Sequence, residues 1–317
     1  MASEHVIETS RLTKVYGRGD KGFTALRDLD LQVRRGEIFG YLGPNGAGKT
    51  TTIRMLLDLI RPTRGQASIL GLDAHRDSLE IRRRVGFLPG ELNLWRNERA
   101  IDIVKYQGKV FGSLDMAYVN QLAERFQFDL TKKMRDYSTG NKRKLGLILA
   151  LMQRQEVVIL DEPTSGLDPL MQQNFNNLMR EIRDEGRTVF LSSHVLSEVQ
   201  AICDRVAVLR HGELKAVEQV EKLTHVDFRW VTLKFRDVAG IQHHLETVPG
   251  VSDVSTINGD SVRLKLNGEF DPLLRAAVDH YVVDLRVQEP TLEEIFLTFY
   301  DDEPAVVNNN RAKEYAS

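Results

Sequence analysis

A chain of 317 residues is long enough for about two domains with cores of their own, and a composition 42% hydrophobic and 28% charged excludes a disordered protein. Its 43 basic and 45 acidic side chains leave a formal charge of -2, which excludes the basic excess of a nucleic-acid binder, and the one cysteine, Cys203, excludes an intramolecular disulfide. The longest run without a polar side chain, Leu145 to Met152, falls short of the roughly 20 residues that a membrane span requires, and MASEHVIETSRL lacks the apolar centre of a secretory signal.

In chain order, HVIETSRLTKVYG and FTALRDLDLQVRRG alternate like antiparallel strands around the loop Gly17 to Gly22. From Glu37 the pattern changes to short apolar runs, each followed by helical spacing: EIFGYLG, EVVILDEP and RTVFLSSH. Strand and helix in alternation predict a parallel sheet covered on both faces. Leu94 to Met152 has helical spacing and reads as an insertion, with Leu145, Leu149 and Met152 on one face of its last helix. RVAVLRHGELKAV predicts a hairpin turning at His211 and Gly212, after which the pattern resets near Lys222.

The second unit reads FRWVTLKF strand, AGIQHHLETV helix, VSDVSTI strand, a turn at Asn258-Gly259, SVRLKL strand, DPLLRAAVDHY helix and VVDLRVQ strand. That order, βαββαβ, is the split unit of ferredoxin-like folds. Leu245, Val248, Leu274 and Val278 are expected on the apolar sides of its two helices. A further helix is predicted from Pro290-Thr291 to Tyr300, with capping-box spacing at Thr291 and Glu294, before a polar tail.

Three segments carry chemistry. GPNGAGKT, Gly43 to Thr50, follows an apolar strand and precedes a helix, the context in which glycines turn successive backbone N–H groups toward phosphate oxygens. Lys49 adds a positive charge there, and the Thr50 hydroxyl is a Mg²⁺ ligand candidate. VVILDEP ends a buried-type strand in two carboxylates, which strand alternation separates: Asp161 for Mg²⁺ and Glu162 for the attacking water. His194 ends a third strand at the same sheet edge, where a neutral imidazole can hold a γ-phosphate or the lytic water.

DYSTGNKRKLGLILALMQ opens a helix at a serine-glycine turn with Lys142, Arg143 and Lys144 at its positive end, an arrangement that an anion docked there would relieve. In SGLDPLMQQ, Asp168 is an N-cap and Pro169 the first helical residue. Arg82-Arg83-Arg84 reads as a solvated helix face rather than a nucleic-acid surface.

Over roughly its first 220 residues the sequence resembles the ATP-binding subunits of ABC transporters. GPNGAGKTT, containing Gly43, Pro44, Asn45, Gly46, Ala47, Gly48, Lys49, Thr50 and Thr51, matches Walker A; VVILDEP matches Walker B; SGLD matches the D-loop; His194 matches the switch histidine; and Tyr16 in KVYG matches the aromatic that stacks on adenine. YSTGN is similar to the LSGGQ signature, keeping Ser138 and Gly140 while Thr139 and Asn141 depart. In VGFLPGEL, Gly90 stands where the family has a glutamine, with Glu91 beside it as a substitute or a solvated side chain. EPTLEEIFLTFY resembles the ending of the daunorubicin-exporter-like subfamily.

The resemblance implies an α/β P-loop NTPase fold: a parallel sheet with an antiparallel β subdomain and a helical insertion at about 94–152, together forming an ABC ATP-binding domain over 1–222. A smaller α+β accessory or regulatory domain at 223–303 and a flexible tail at 304–317 follow. It also implies an ATPase using ATP and Mg²⁺, with Glu162, His194 and Lys49 catalytic and Thr50 and Asp161 on the metal. Two copies would pack head to tail, so that Ser138 and Gly140 meet the phosphate on the other copy's P-loop, and Thr139, Asn141 and Asp168 are counted with them among the nucleotide-binding residues. The implied partners are a membrane-spanning transporter subunit and a second copy of the chain, with no nucleic acid, and the implied location is cytoplasmic, peripheral on the inner face of the cell membrane. A soluble ABC ATPase or nucleotide switch uncoupled from transport is the alternative.

Overall fold

Alternation in the first two segments produces one sheet, and continuous apolar runs produce another. The computed structural model describes residues 4–17, 22–221, 228–236, 240–278 and 280–288, in two compact units that divide between Val220 and Glu221. The expected loop centre at 18–21, the helix at 290–300 and the tail lie outside the described residues.

In the first unit, β1 (His5–Tyr16) pairs antiparallel with β2 (Phe23–Arg34), burying Ile7 and Leu12 from one strand and Leu29, Leu31 and Val33 from the other. The parallel sheet consists of β3 (Ile38–Leu42), β6 (Val85–Leu88), β7 (Val157–Asp161), β8 (Thr188–Ser193) and β9 (Arg205–Arg210). β10 (Glu213–Gln219) adds antiparallel to β9, giving the order β10-β9-β3-β8-β7-β6. Every residue of β3, β7 and β8 is buried, as expected of strands covered on both faces. Phe39 stacks on Phe190 at 5.9 Å, and Tyr41 tilts against the same ring at 5.3 Å.

Two additions complete the sheets. β4 (Arg64–Ile69) and β5 (Leu72–Asp73) extend the antiparallel sheet to β2-β1-β4-β5, and β6 forms the edge of the parallel sheet. Neither β4 nor β6 was expected from local pattern. RGQASI opens on three exposed residues and offers only Ala67 and Ile69 as an apolar pair, while VGFL is four residues that follow directly on α2 (Ser78–Arg84).

Between β6 and β7 run α3 (Ala100–Phe111), α4 (Met116–Arg125) and α5 (Thr139–Leu151). α5 is buried around its circumference from Leu145 to Leu151, rather than along the single face of Leu145, Leu149 and Met152. α1 (Lys49–Leu56) follows β3, α6 (Pro169–Asp184) follows β7 and α7 (Leu196–Ile202) follows β8, so three helices start at the carboxyl edge of the parallel sheet. Ligands bind at this edge in open α/β sheets. Among the described residues no helix is long and apolar enough to cross a membrane.

The second unit contains β11 (Phe228–Phe235), α8 (Ile241–Glu246), β12 (Val251–Ile257), β13 (Ser261–Asn267), α9 (Asp271–Ala277) and β14 (Val282–Gln288). Its sheet order is β12-β13-β11-β14 with antiparallel neighbours, the split βαβ arrangement. Val231, Leu233 and Phe235 pack with Val262, Leu264, Leu245 and Val248. From α9, however, Leu273 and Ala277 enter this core, while Leu274 and Val278 are exposed. The expected helical face was therefore displaced by one residue, because a helix of seven residues carries two apolar stripes that sequence spacing does not distinguish.

Candidate active site at the phosphate-binding loop

β3 ends at Leu42, and the chain turns through Gly43–Gly48 into α1. Gly48 is the N-cap, at φ 106, and a Cβ there would lie 2.6 Å from the Ala25 carbonyl oxygen, so both the backbone conformation and the space demand glycine. No side chain caps α1, leaving its first N–H groups directed at whatever occupies the loop. A cleft of about 290 Å³ lies here, lined by Tyr16, Phe23, Ala25, Pro44, Asn45, Gly46, Ala47, Gly48, Lys49, Thr50, Thr51 and Glu162. Phe23 is the register partner of Tyr16 and is 64% exposed. Sequence reasoning missed this second aromatic; the available signal was its position facing KVYG across the first loop.

Lys49 is buried, and its Nζ donates to the carbonyl oxygens of Gly43 at 2.6 Å and Pro44 at 3.3 Å. It also lies 3.3 Å from Glu162 Oε1, while Glu162 Oε2 is 2.8 Å from His194 Nδ1. One carboxylate is thereby held between an ammonium and an imidazole.

Asp161, the neighbouring acid, faces elsewhere. Thr50 Oγ1 donates to its Oδ2 at 2.8 Å and Ser192 Oγ to its Oδ1 at 2.5 Å. The separation arises where Glu162 adopts φ 52, a left-handed conformation that costs an L-residue about 1–2 kcal/mol. The Glu162 N–H is held by Ser192 through its carbonyl oxygen at 3.2 Å and its Oγ at 3.1 Å. Ser192 was missed at the sequence level; a serine pair inside the otherwise apolar run TVFLSS was its signal.

The adjacent hydroxyl and carboxylate of Thr50 and Asp161 are hard oxygen donors beside the loop, a set suited to Mg²⁺ shared with phosphates and water. Among the described residues no cluster of three or more His, Cys, Asp or Glu forms a metal site by itself. A Cβ at Gly90 would stand 3.0 Å from Asp161 Oδ2, so the glutamine position of the family faces the same carboxylate, while Glu91 is exposed.

Ser138, Thr139, Gly140, Asn141 and Asp168 do not line the cleft of their own chain. Ser138 caps α5, its Oγ accepting from the Asn141 N–H at 3.3 Å, and Asp168 caps α6, accepting from the Met171 N–H at 2.9 Å. The expected basic patch of Lys142, Arg143 and Lys144 does not form as a unit. Arg143 is buried and donates to main-chain carbonyls, because the sheet edge beside α5 offers a group of acceptors. Burial pushes its guanidinium below the ordinary value, and the Asp161 and Glu162 carboxylates oppose that shift.

Gly140 sits where a Cβ would approach the Gly166 carbonyl oxygen to 2.5 Å. Helix propensity favours Gly140→Ala by about 1 kcal/mol, but overlap with a backbone oxygen costs about 1–3 kcal/mol. The overlap should dominate, so a urea titration is expected to show a net loss of stability. A gain would mean that α5 and the Gly166 turn separate freely.

The family profile described as ABC transporter matches residues 26–165. An uncharacterised ABC transporter ATP-binding protein of Synechocystis sp. is 30% identical over 312 residues, covering 92% of this chain and 84% of the relative. The bacitracin transport ATP-binding protein BcrA of Bacillus licheniformis is 37% identical over 212 residues, covering 66% of this chain and 68% of that protein. A solved ATP-binding subunit of an ABC transporter superposes with a TM-score of 0.62 at 28% identity, over 69% of this chain and 91% of that one. A relative aligned along nearly the whole chain, together with a P-loop cleft that brings Lys49, Glu162 and His194 into contact, shows that the chain belongs to the ATP-binding proteins of ABC transporters, the ATPase subunits that power them.

Proposed function

We propose that ATP binds with its phosphates on the α1 N-terminus and Lys49 and its adenine against Tyr16, and that Glu162 is the general base for hydrolysis. The observation that carries this reading is the Glu162 carboxylate bridging Lys49 at 3.3 Å and His194 at 2.8 Å beside the P-loop. A base so placed lies next to the terminal phosphate, and His194 orients it. Mg²⁺, with Thr50 and Asp161 as its protein groups, supplies positive charge to the phosphates when bound.

Ser138, Thr139, Gly140, Asn141 and Asp168 lie away from their own cleft, which supports a head-to-tail pair in which they serve the other copy's nucleotide. The motor then drives a separate membrane-spanning subunit, as an exporter of the daunorubicin-exporter-like kind, from the inner face of the cell membrane. The second unit, 223–303, is accessory or regulatory. No nucleic acid is a partner in this reading.

The docking surface for the membrane subunit includes Gly90-Glu91 and the segment after it, where Trp95 and Tyr106 are exposed and pack edge to face at 5.0 Å. Photo-crosslinkers at Leu92 to Trp95 should capture the membrane subunit when the two are coexpressed, and the chain should sediment with membranes only then. Equal sedimentation with partner-free vesicles would reject the transporter reading.

A further inference from the structure

Arg143 lies five residues beyond the Ser138 cap, on the buried side of α5, with only 5% of its surface exposed. Its Nη1 donates to the carbonyl oxygens of Pro89 at 2.6 Å and Gly90 at 3.1 Å, its Nη2 to those of Asp161 and Glu162, and its Nε to that of Pro163 at 3.4 Å. These five acceptors come from two segments, the turn after β6 and the last residue of β7 with the turn that follows it, while Arg143 itself belongs to a third. A guanidinium presents its donors in a rigid planar fork, which a lysine's single ammonium cannot reproduce. Burial of a positive charge is costly, and the carbonyl dipoles around it offset that cost.

The arrangement bears directly on Glu162. Its N–H is held by Ser192 on β8 and its carbonyl by Arg143 on α5, so the peptide groups on both sides of its α-carbon are fixed. Those two restraints bracket the left-handed φ of 52 that directs the carboxylate to Lys49 and His194. We propose that Arg143 is a positioning residue for ATP hydrolysis, holding Glu162 in the backbone conformation that aims its carboxylate and linking that conformation to the Pro89-Gly90 turn and the start of α5. The inference rests on Glu162 being the base.

The test compares Arg143→Met, Arg143→Lys and Glu162→Gln in the full chain, measuring ATP affinity and saturated turnover separately. Arg143→Met fills similar space without donors, and misdirection of the base should lower turnover by about 10²-fold with ATP affinity unchanged. Arg143→Lys keeps the charge but spans fewer carbonyls, so its turnover should fall between those of Arg143→Met and the parent; it also serves if Arg143→Met does not fold. In the Glu162→Gln background, Arg143→Met should lower the residual turnover no further, because the group it positions is already lost.

Parental turnover in both Arg143 variants, with Glu162→Gln impaired, would overturn this inference alone. Full turnover in Glu162→Gln would instead remove the base reading beneath it. An equal loss of affinity and turnover in the Arg143 variants, or an additive loss in the double variant, would show a general scaffold and overturn the positioning role.

Discussion

Glu162→Gln is expected to lower ATP turnover by about 10²- to 10⁴-fold while ATP binding persists. The amide keeps the size of the side chain and can still accept a hydrogen bond from Lys49, so the pocket retains its shape. What disappears is the second anionic oxygen, the one facing His194 at 2.8 Å, and with it the capacity to take a proton from water. Phosphate contacts made by the α1 N-terminus and Lys49 remain, so affinity should survive. Steady-state hydrolysis measured beside nucleotide binding checks the separation, and unchanged hydrolysis would move the base to another residue.

Lys49→Ala is expected to do the reverse, weakening ATP binding about 10- to 100-fold, the range for losing a hydrogen bond from a charged donor. The ammonium is buried and held by the Gly43 and Pro44 carbonyls, so it is positioned before any phosphate arrives. Its loss also leaves Glu162 without its cationic neighbour at 3.3 Å, placing uncompensated negative charge beside the triphosphate. Titration calorimetry distinguishes the two variants: Glu162→Gln changes turnover at similar affinity, whereas Lys49→Ala changes affinity itself. Parental affinity in Lys49→Ala would withdraw the assignment of the loop as the phosphate cradle.

Features that depend on consecutive residues are legible along the chain. GPNGAGKT specifies its own turn and helix start, since the glycines, the lysine and the helix N-terminus are covalent neighbours. IFGYL, VVILD and TVFLSS declare buried strands because both their faces are covered, and His211-Gly212 declares its hairpin by accepting φ 51 and 77. Which way a side chain turns when its partners are distant in the chain is settled by the folded molecule. Arg143 reads as one of three cations at a helix start, and it faces inward because Pro89-Gly90 and Asp161 to Pro163 bring their carbonyls there. The same holds for β4 and β6, which exist as strands through the neighbours that pair with them, and for Leu273 and Ala277, which are buried in place of Leu274 and Val278. Local propensity acts along the chain, whereas a hydrogen-bond acceptor or a covering sheet contributed from far along the chain exists only after the chain has folded.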